Sequence, residues 1–293
     1  MNGTEYILQG GVDLHTHAGP DFYDRSVDLI ELAENAKKEK MAAVVLKNHF
    51  CPTFFAAQQV AKKVPGIRVF GGLVLNKYVG GLNVDAVDLA VKAGAKIIWM
   101  PTLSEANHLV YYGASDFKAQ KAKTPLRQEG GGLTICENGR LKPGVFEILE
   151  VIADSDAILA TGHISNSEAL VLVREAAALD IKRILVTHPD DKVSAISEAQ
   201  QKELIGHGAI LEKCLITTMP GWGNLTIKQI ADSIRNLGAG NCVIVTDFGQ
   251  AHHEIPTEGL KRFVKGLFES GITREEIQVM LCKNPCSLLG IDH

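Results

Sequence analysis

The chemistry-bearing residues of this chain are mostly histidines, and they fall at repeated places. His15 and His17 stand one residue apart, directly after the apolar stretch Gly11-Val12-Asp13-Leu14. On a strand, side chains alternate between faces, so both rings point the same way with Cα atoms roughly 6.6 Å apart. Two imidazoles so placed can converge on one ion, and imidazole is the commonest metal ligand. Three further apolar runs finish alike: AILATGH at His163, RILVTH at His188 and CVIVTD at Asp247. One histidine after an apolar run is more often a satisfied structural group. Four histidines and an aspartate at equivalent points resist that explanation, because buried polar groups are costly without partners and an ion supplies one. Nitrogen and carboxylate donors suit a divalent metal, zinc first, with Mn, Fe or Ni as alternatives and one or two ions. A metal-bound water of lowered pKa would then attack a polarised carbonyl or similar group, with Asp247 placed to take its proton. The bland reading of Asp247 is a loop cap of the Asx type.

Other polar residues fall at the same kind of place. The run AAVVLKNH ends in Lys47 and His49, again two apart, and AILEKCLI carries Glu212. A buried lysine is readily neutralised, so Lys47 could be carboxylated and bridge two ions. Binding a substrate carboxylate, or pairing with Glu212, is the favoured duty. Glu212 is then a ligand, a hydrogen-bond partner of a ligand or the counter-ion of Lys47. Catalytic candidates are Asp247, His188, Lys47 and Glu212; substrate-binding candidates are His49, Lys47, Trp222 and Arg127. His49 could also bind metal, or serve only as a hydrogen-bond partner; Trp222 reads as often as packing in a Gly-rich loop, and for Arg127, Lys121 and Lys123 a solvated charged loop is the favoured reading over contact with an anionic substrate. Cys214, two residues after Glu212, could be a thiolate ligand, although inert buried cysteine is the commoner case. His252 and His253 are placed at the mouth, while His108, His207 and His293 read as background.

Eight runs rich in Val, Ile and Leu position these residues: 11–17, 42–49, 67–76, 95–102, 157–165, 183–190, 209–216 and 242–249. They read as buried parallel strands. Amphipathic helical patterns intervene, as at 26–40, 166–180, 193–208 and 225–238, and several end in Gly before the next strand, which is C-cap chemistry. Eight such units predict a single α/β domain over 1–293, a (β/α)8 TIM-type barrel. An open doubly wound sheet is the runner-up, but no GxGxxG follows a strand and opens a helix. The one longer gap, residues 103–145 after strand four, shows no clean helix. GLTICENGRLKPG within it predicts a hairpin turning at Glu137-Asn138-Gly139. An insertion at that face of a barrel reads as a lid or substrate wall. The tail ITREEIQVMLCKNPCSLLGI predicts closing helices. Active sites of barrels form where strands end and βα loops begin, which is where the residues above stand.

His15-x-His17, His163, His188 and Asp247, in that order on those strand ends, resemble the amidohydrolase superfamily of metal-dependent hydrolases. KNPCSLLGI near the end is similar to an Asn-Pro-Ala-x-x-Leu-Gly segment common there. The fuller pattern, with TGHIS, VTHP and VVLKNH, is similar to a small amidohydrolase-like group without assigned function. The resemblance implies that those five residues bind metal and that Asp247 doubles as general acid and base. It implies a hydrolase of a small molecule with an amide, cyclic amide, lactone or ester bond. A decarboxylase or lyase on the same barrel, or a phosphoesterase, are the alternatives. Binuclear members bridge their ions with a carboxylated lysine or a glutamate at the end of strand four. Here that strand ends Trp99-Met100-Pro101-Thr102, so the site is mononuclear or the bridge comes from elsewhere.

Bulk properties exclude other classes. The net charge of −4 gives no electrostatic reason to expect nucleic acid. No apolar stretch reaches the roughly 18 residues a membrane span needs, and MNGTEYILQGG has no signal-peptide pattern. Cys51, Cys136, Cys214, Cys242, Cys282 and Cys286 are scattered without CxxC spacing, which fits a reducing cytoplasm. The expected partner is a small-molecule substrate, with a homo-oligomer left open.

Overall fold

The computed structural model describes residues 7–117, 120, 122, 124, 126 and 130–292. Each apolar run forms a strand. The strands are β1 (Val12–Thr16), β2 (Ala43–Leu46), β3 (Arg68–Val74), β4 (Ile97–Trp99), the hairpin β5 (Cys136–Glu137) and β6 (Arg140–Leu141), then β7 (Ile158–Ala160), β8 (Ile184–Val186), β9 (Ile210–Cys214) and β10 (Cys242–Val245). All but the hairpin pair in parallel, in the order β1-β2-β3-β4-β7-β8-β9-β10. The outer two meet at a Thr16–Phe248 bridge. There the His17 N–H donates to the Phe248 carbonyl at 2.8 Å and the Asp247 N–H to the His15 carbonyl at 2.9 Å. Asp13 tightens this seam by accepting from the backbone N–H of Thr246 at 3.2 Å and its Oγ1 at 2.6 Å. The result is a TIM-type barrel, with the first and last metal-ligand candidates on adjacent strands.

Helices cover the outside because their apolar residues recur at helical spacing. In α8 (Ile227–Leu237) Ile230, Ala231, Ile234 and Leu237 are buried; in α9 (Pro256–Glu269) Leu260, Phe263, Val264 and Leu267 are. Helix starts are set by capping boxes, such as Asp28 with Glu31 before α1 (Leu29–Lys38) and Ser165 with Glu168 before α6 (Asn166–Ala178). The closing helices α10 (Arg274–Gln278) and α11 (Asn284–Leu289) are present. No helix among the described residues is long and apolar enough to cross a membrane.

The insertion differs from its sequence reading in one respect. Its hairpin forms at the expected turn, with Asn138 at φ +52° and Gly139 at φ +73°. It also carries a helix, α4 (Ala106–Tyr112), in ANHLVYY. Seven residues are too few to show an amphipathic stripe, and tertiary contacts replace the missing propensity. Asn107 Nδ2 of this helix donates to the carbonyls of His163 at 3.2 Å and Val193 at 2.5 Å, fastening α4 across the loops that follow β7 and β8.

Candidate metal centre

Alternation along β1 sends Asp13, His15 and His17 inward, and the site is built around the latter two. His15 Nε2 lies 3.0 Å from Asp247 Oδ1, and His17 Nε2 lies 3.1 Å from the same oxygen. These three donor atoms lie within 4.8 Å of one another. The β7 and β8 histidines stand beside them: ring centroids are 5.0 Å apart for His163 and His188 and 6.1 Å for His15 and His188. They do not belong to the compact three-atom group. Local backbone is specialised here. Gly162 has φ +62°, and a Cβ on it would stand 2.3 Å from the Met100 carbonyl oxygen, so only glycine lets the chain turn His163 inward. His188 and Asp247 themselves have φ +26° and +54°. Non-glycine residues held there cost about 1–3 kcal/mol each, a strain that clusters at functional sites.

The contacts of Glu212 match the hydrogen-bond-partner role, and its carboxylate also lies within 4.8 Å of donor atoms of His15 and Cys214, a second group able to hold an ion. Its Oε2 accepts from His15 Nδ1 at 3.1 Å and from the His188 backbone N–H at 3.1 Å, while its Oε1 has no hydrogen-bond partner among the described residues. A carboxylate on the far nitrogen of a ligand histidine fixes its tautomer and orientation. Cys214 Sγ is 3.6 Å from Glu212 Oε2, and burial raises its pKa well above that of a free thiol, so it faces the carboxylate as a neutral thiol. Lys47 Nζ lies 2.9 Å from His15 Nε2 and 5.5 Å from the Trp99 ring centre. Burial lowers its pKa, against the opposing pull of Asp247 and Glu212.

The electrostatics sort the histidines. Burial opposes a charge on His15, but Asp247 and Glu212 outweigh it and hold its pKa at about 9. Burial, with Arg25 alongside, lowers His17 to about 3, and burial holds His49 and His163 well below the usual value and lowers His188. The Asp247 carboxyl, despite burial, is held well below its ordinary range by His15 and His17. Neutral imidazoles around an ionised carboxylate are the donor set a divalent cation takes. The residues therefore fit a metal, at a place where the raised pKa of His15 now favours a positive charge beside Asp247 and Glu212. Two adjustments are required: Lys47 Nζ, 2.9 Å from His15 Nε2, has to leave that nitrogen to the ion, and Arg25 Nη2, 3.3 Å from His17 Nδ1, has to turn away because a metal on Nε2 needs the ring proton on Nδ1.

The remaining candidates fall into three groups. His49 stacks on His17 at 4.9 Å and meets Thr102 Oγ1 through Nδ1 at 2.8 Å. Trp222 is buried and walls the pocket together with Lys47, Tyr112, Phe117, Asp191 and Gln250. His252 and His253 stand against the Trp222 ring, with centroids at 6.2 and 5.4 Å. Arg127, Lys121, Lys123 and His293 lie outside the described residues. Arg25, Asp191, Tyr112 and His108 were missed from sequence, the last set aside as background although its ring meets His163. The enclosed space is about 20 Å³, room for about one water.

Residues 10–212 match a protein family of unknown function, DUF6282. The chain belongs to this family. No curated protein matches the sequence. Among solved structures, an amidohydrolase from Pseudomonas aeruginosa aligns over 97% of this chain and 96% of its own, at 12% identity and a TM-score of 0.65. The probable dipeptidase PvdM from Pseudomonas aeruginosa aligns over 98% and 96%, at 11% identity and a TM-score of 0.66. A mutant organophosphorus hydrolase from Deinococcus radiodurans aligns over 97% and 94%, at 14% identity and a TM-score of 0.59. At these identities the likeness is one of fold, and it extends over the whole barrel.

Proposed function

We propose that this DUF6282 chain is a metal-dependent hydrolase of the amidohydrolase type, acting on a small molecule with an amide, cyclic amide, lactone or ester bond. The observation that carries the reading is the convergence of His15 Nε2, His17 Nε2 and Asp247 Oδ1 at the C-terminal end of the barrel. These three would hold the ion, with His163 and His188 completing its shell. Zinc suits this donor set best, and Mn, Fe and Ni are compatible with it. When bound, the metal supplies a water of lowered pKa and polarises the scissile bond.

The chain's own groups do the rest. Asp247, ionised and buried, accepts the proton of the attacking water and returns it to the leaving group. Glu212 keeps the His15 ring turned toward Asp247. Lys47 offers its Nζ to a substrate oxygen, and His49 and Trp222 shape the wall that holds the remainder. The fold neighbours are named as an amidohydrolase, a probable dipeptidase and an organophosphorus hydrolase, which supports hydrolysis at a carbonyl or phosphoryl centre. A decarboxylase or lyase is the second reading, and a phosphoesterase the third. What favours keeping the lyase is the end of β4, where Trp99-Met100-Pro101-Thr102 offers no bridging acid, and what favours keeping the phosphoesterase is the extra imidazole of His49 against His17.

The test is zinc-loaded protein assayed against lactones, dipeptides, cyclic amides, aryl esters and phosphoesters, with carbon dioxide release followed in parallel. Turnover of a carbonyl substrate that disappears in Asp247→Asn and His163→Ala supports the proposal. Turnover that survives both substitutions, or carbon dioxide release alone, contradicts it.

A further inference from the structure

We propose that His108, on the insertion helix α4, is a positioning residue that fixes which ring nitrogen of His163 is free to bind a metal. The inference rests on the metal-centre reading above and extends it to a residue outside the strand ends. His108 Nδ1 lies 2.8 Å from His163 Nδ1, with ring centroids 4.9 Å apart and ring planes 22° from parallel. Nitrogens that close on nearly parallel rings with well-separated centres mark an edge-to-edge approach, the geometry of an in-plane N–H···N bond rather than a face stack.

The donor and acceptor inventory assigns its direction. The other nitrogen of His108, Nε2, faces the backbone carbonyl oxygen of Asp116 at 3.2 Å. A carbonyl oxygen can only accept, so Nε2 carries the hydrogen. Both rings are buried, and no carboxylate among the described residues is hydrogen-bonded to either, so each carries one ring hydrogen. His108 Nδ1 is therefore a bare acceptor, and the hydrogen between the rings belongs to His163 Nδ1. His163 Nε2 is left with its lone pair. Asp116 is itself held, its Oδ1 accepting from the Tyr23 hydroxyl at 2.8 Å. The helix is fixed on the other side, where Asn107 Nδ2 donates to the His163 carbonyl. The relay from the Asp116 carbonyl through His108 to His163 thus does for the β7 histidine what Glu212 does for His15, and it assigns the insertion a role in metal binding.

Nitrogen-resolved NMR of ¹⁵N-histidine-labelled, metal-free protein reads the tautomer directly, with His163→Gln identifying the resonances. Protonated Nδ1 and unprotonated Nε2 on His163 are expected. Zinc affinity is then compared in wild type, His108→Leu and His108→Asn. The leucine variant should bind zinc about 10- to 100-fold more weakly, the usual effect of removing a ligand's supporting partner. Asparagine, whose amide oxygen can accept from Nδ1–H, should recover most of that loss, which a merely structural role would not produce. A proton on His163 Nε2, or equal zinc binding by both folded variants, overturns the proposal and leaves the metal-centre reading intact. Two bare Nδ1 atoms that both shift on adding zinc overturn it as well, making the pair itself a clamp. Wild-type protein that takes up no zinc overturns the metal-centre reading and this inference with it, and the tautomer spectrum tells the two failures apart.

Discussion

Glu212→Gln separates the role of a ligand's partner from that of a ligand. The carboxylate is buried and takes two hydrogen bonds at 3.1 Å, from His15 Nδ1 and from the His188 backbone. Glutamine keeps the shape and one acceptor oxygen and loses the charge. A hydrogen bond to a charged group contributes about 1.5–3 kcal/mol and a neutral one about 0.5–1.5, so each bond weakens by about 1–1.5 kcal/mol. The His15 share of that loss is felt whenever His15 must present Nε2 to an ion. It translates to about a tenfold weaker zinc affinity, at the low end of the 10- to 100-fold range for such partners. Competition against a chromophoric chelator measures the affinity, and circular dichroism shows whether the variant is folded. In the metal-free variant His15 also loses one of the two carboxylates that hold its pKa at about 9, so its titration should move down. A folded Glu212→Gln protein with unchanged zinc affinity would refute the view that Glu212 holds His15 for the metal.

Three further perturbations test other parts of the structure. Burial and the neighbouring Glu168 raise Glu105, the N-cap of α4, to about 8 from 4.5. A folded pKa above the unfolded one stabilises the protein at low pH, and that contribution is lost as pH rises from about 4.5 to 8. Wild type should therefore lose Tm relative to Glu105→Gln across that window, and parallel curves would contradict it. The Tyr112 hydroxyl is buried against the pocket without a hydrogen-bond partner among the described residues. Tyr112→Phe should accordingly leave Tm unchanged or higher in a thermal scan and raise KM for a substrate that uses the hydroxyl; a clear drop in Tm would show a missed partner. Lys213 Nζ, fully buried, bonds Asp190 at 2.8 Å, Gln201 at 2.9 Å and Ser233 at 3.0 Å behind the His188 loop. Lys213→Met should cost about 3 kcal/mol in urea unfolding, the low end for breaking a buried pair because Asp190 is partly exposed; a loss typical of a surface pair would count against it.

What could be read from sequence follows from physics that is local. Parallel strands buried on both faces appear as unbroken Val, Ile and Leu runs, and alternation then decides which polar residues face inward, so His15, His17, His163, His188 and Asp247 stand out. Glu212 was visible for the same reason, but only the fold shows that its carboxylate meets His15 rather than Lys47. His108 carries no such signal. It lies in a seven-residue helix within the insertion and reaches His163 through a contact 55 residues away along the chain. Arg25 and Asp191 sit in loops whose course depends on long-range bonds, such as the Asp21 carboxylate that holds Arg25 at 2.8 Å. Lys47 shows the intermediate case: its place on β2 was legible, while its approach to His15 Nε2 depends on the register of β1 against β2, which is irregular between Asp13 and Thr16.

The most direct test of the central claim is metal content per chain, by mass spectrometry on protein purified without chelator or histidine tag and again after incubation with zinc or manganese. The arrangement of His15, His17 and Asp247 predicts at least one tightly held divalent ion per chain, lost together in His17→Ala and Asp247→Asn. Folded wild-type protein that holds no metal as purified and takes none up would contradict it.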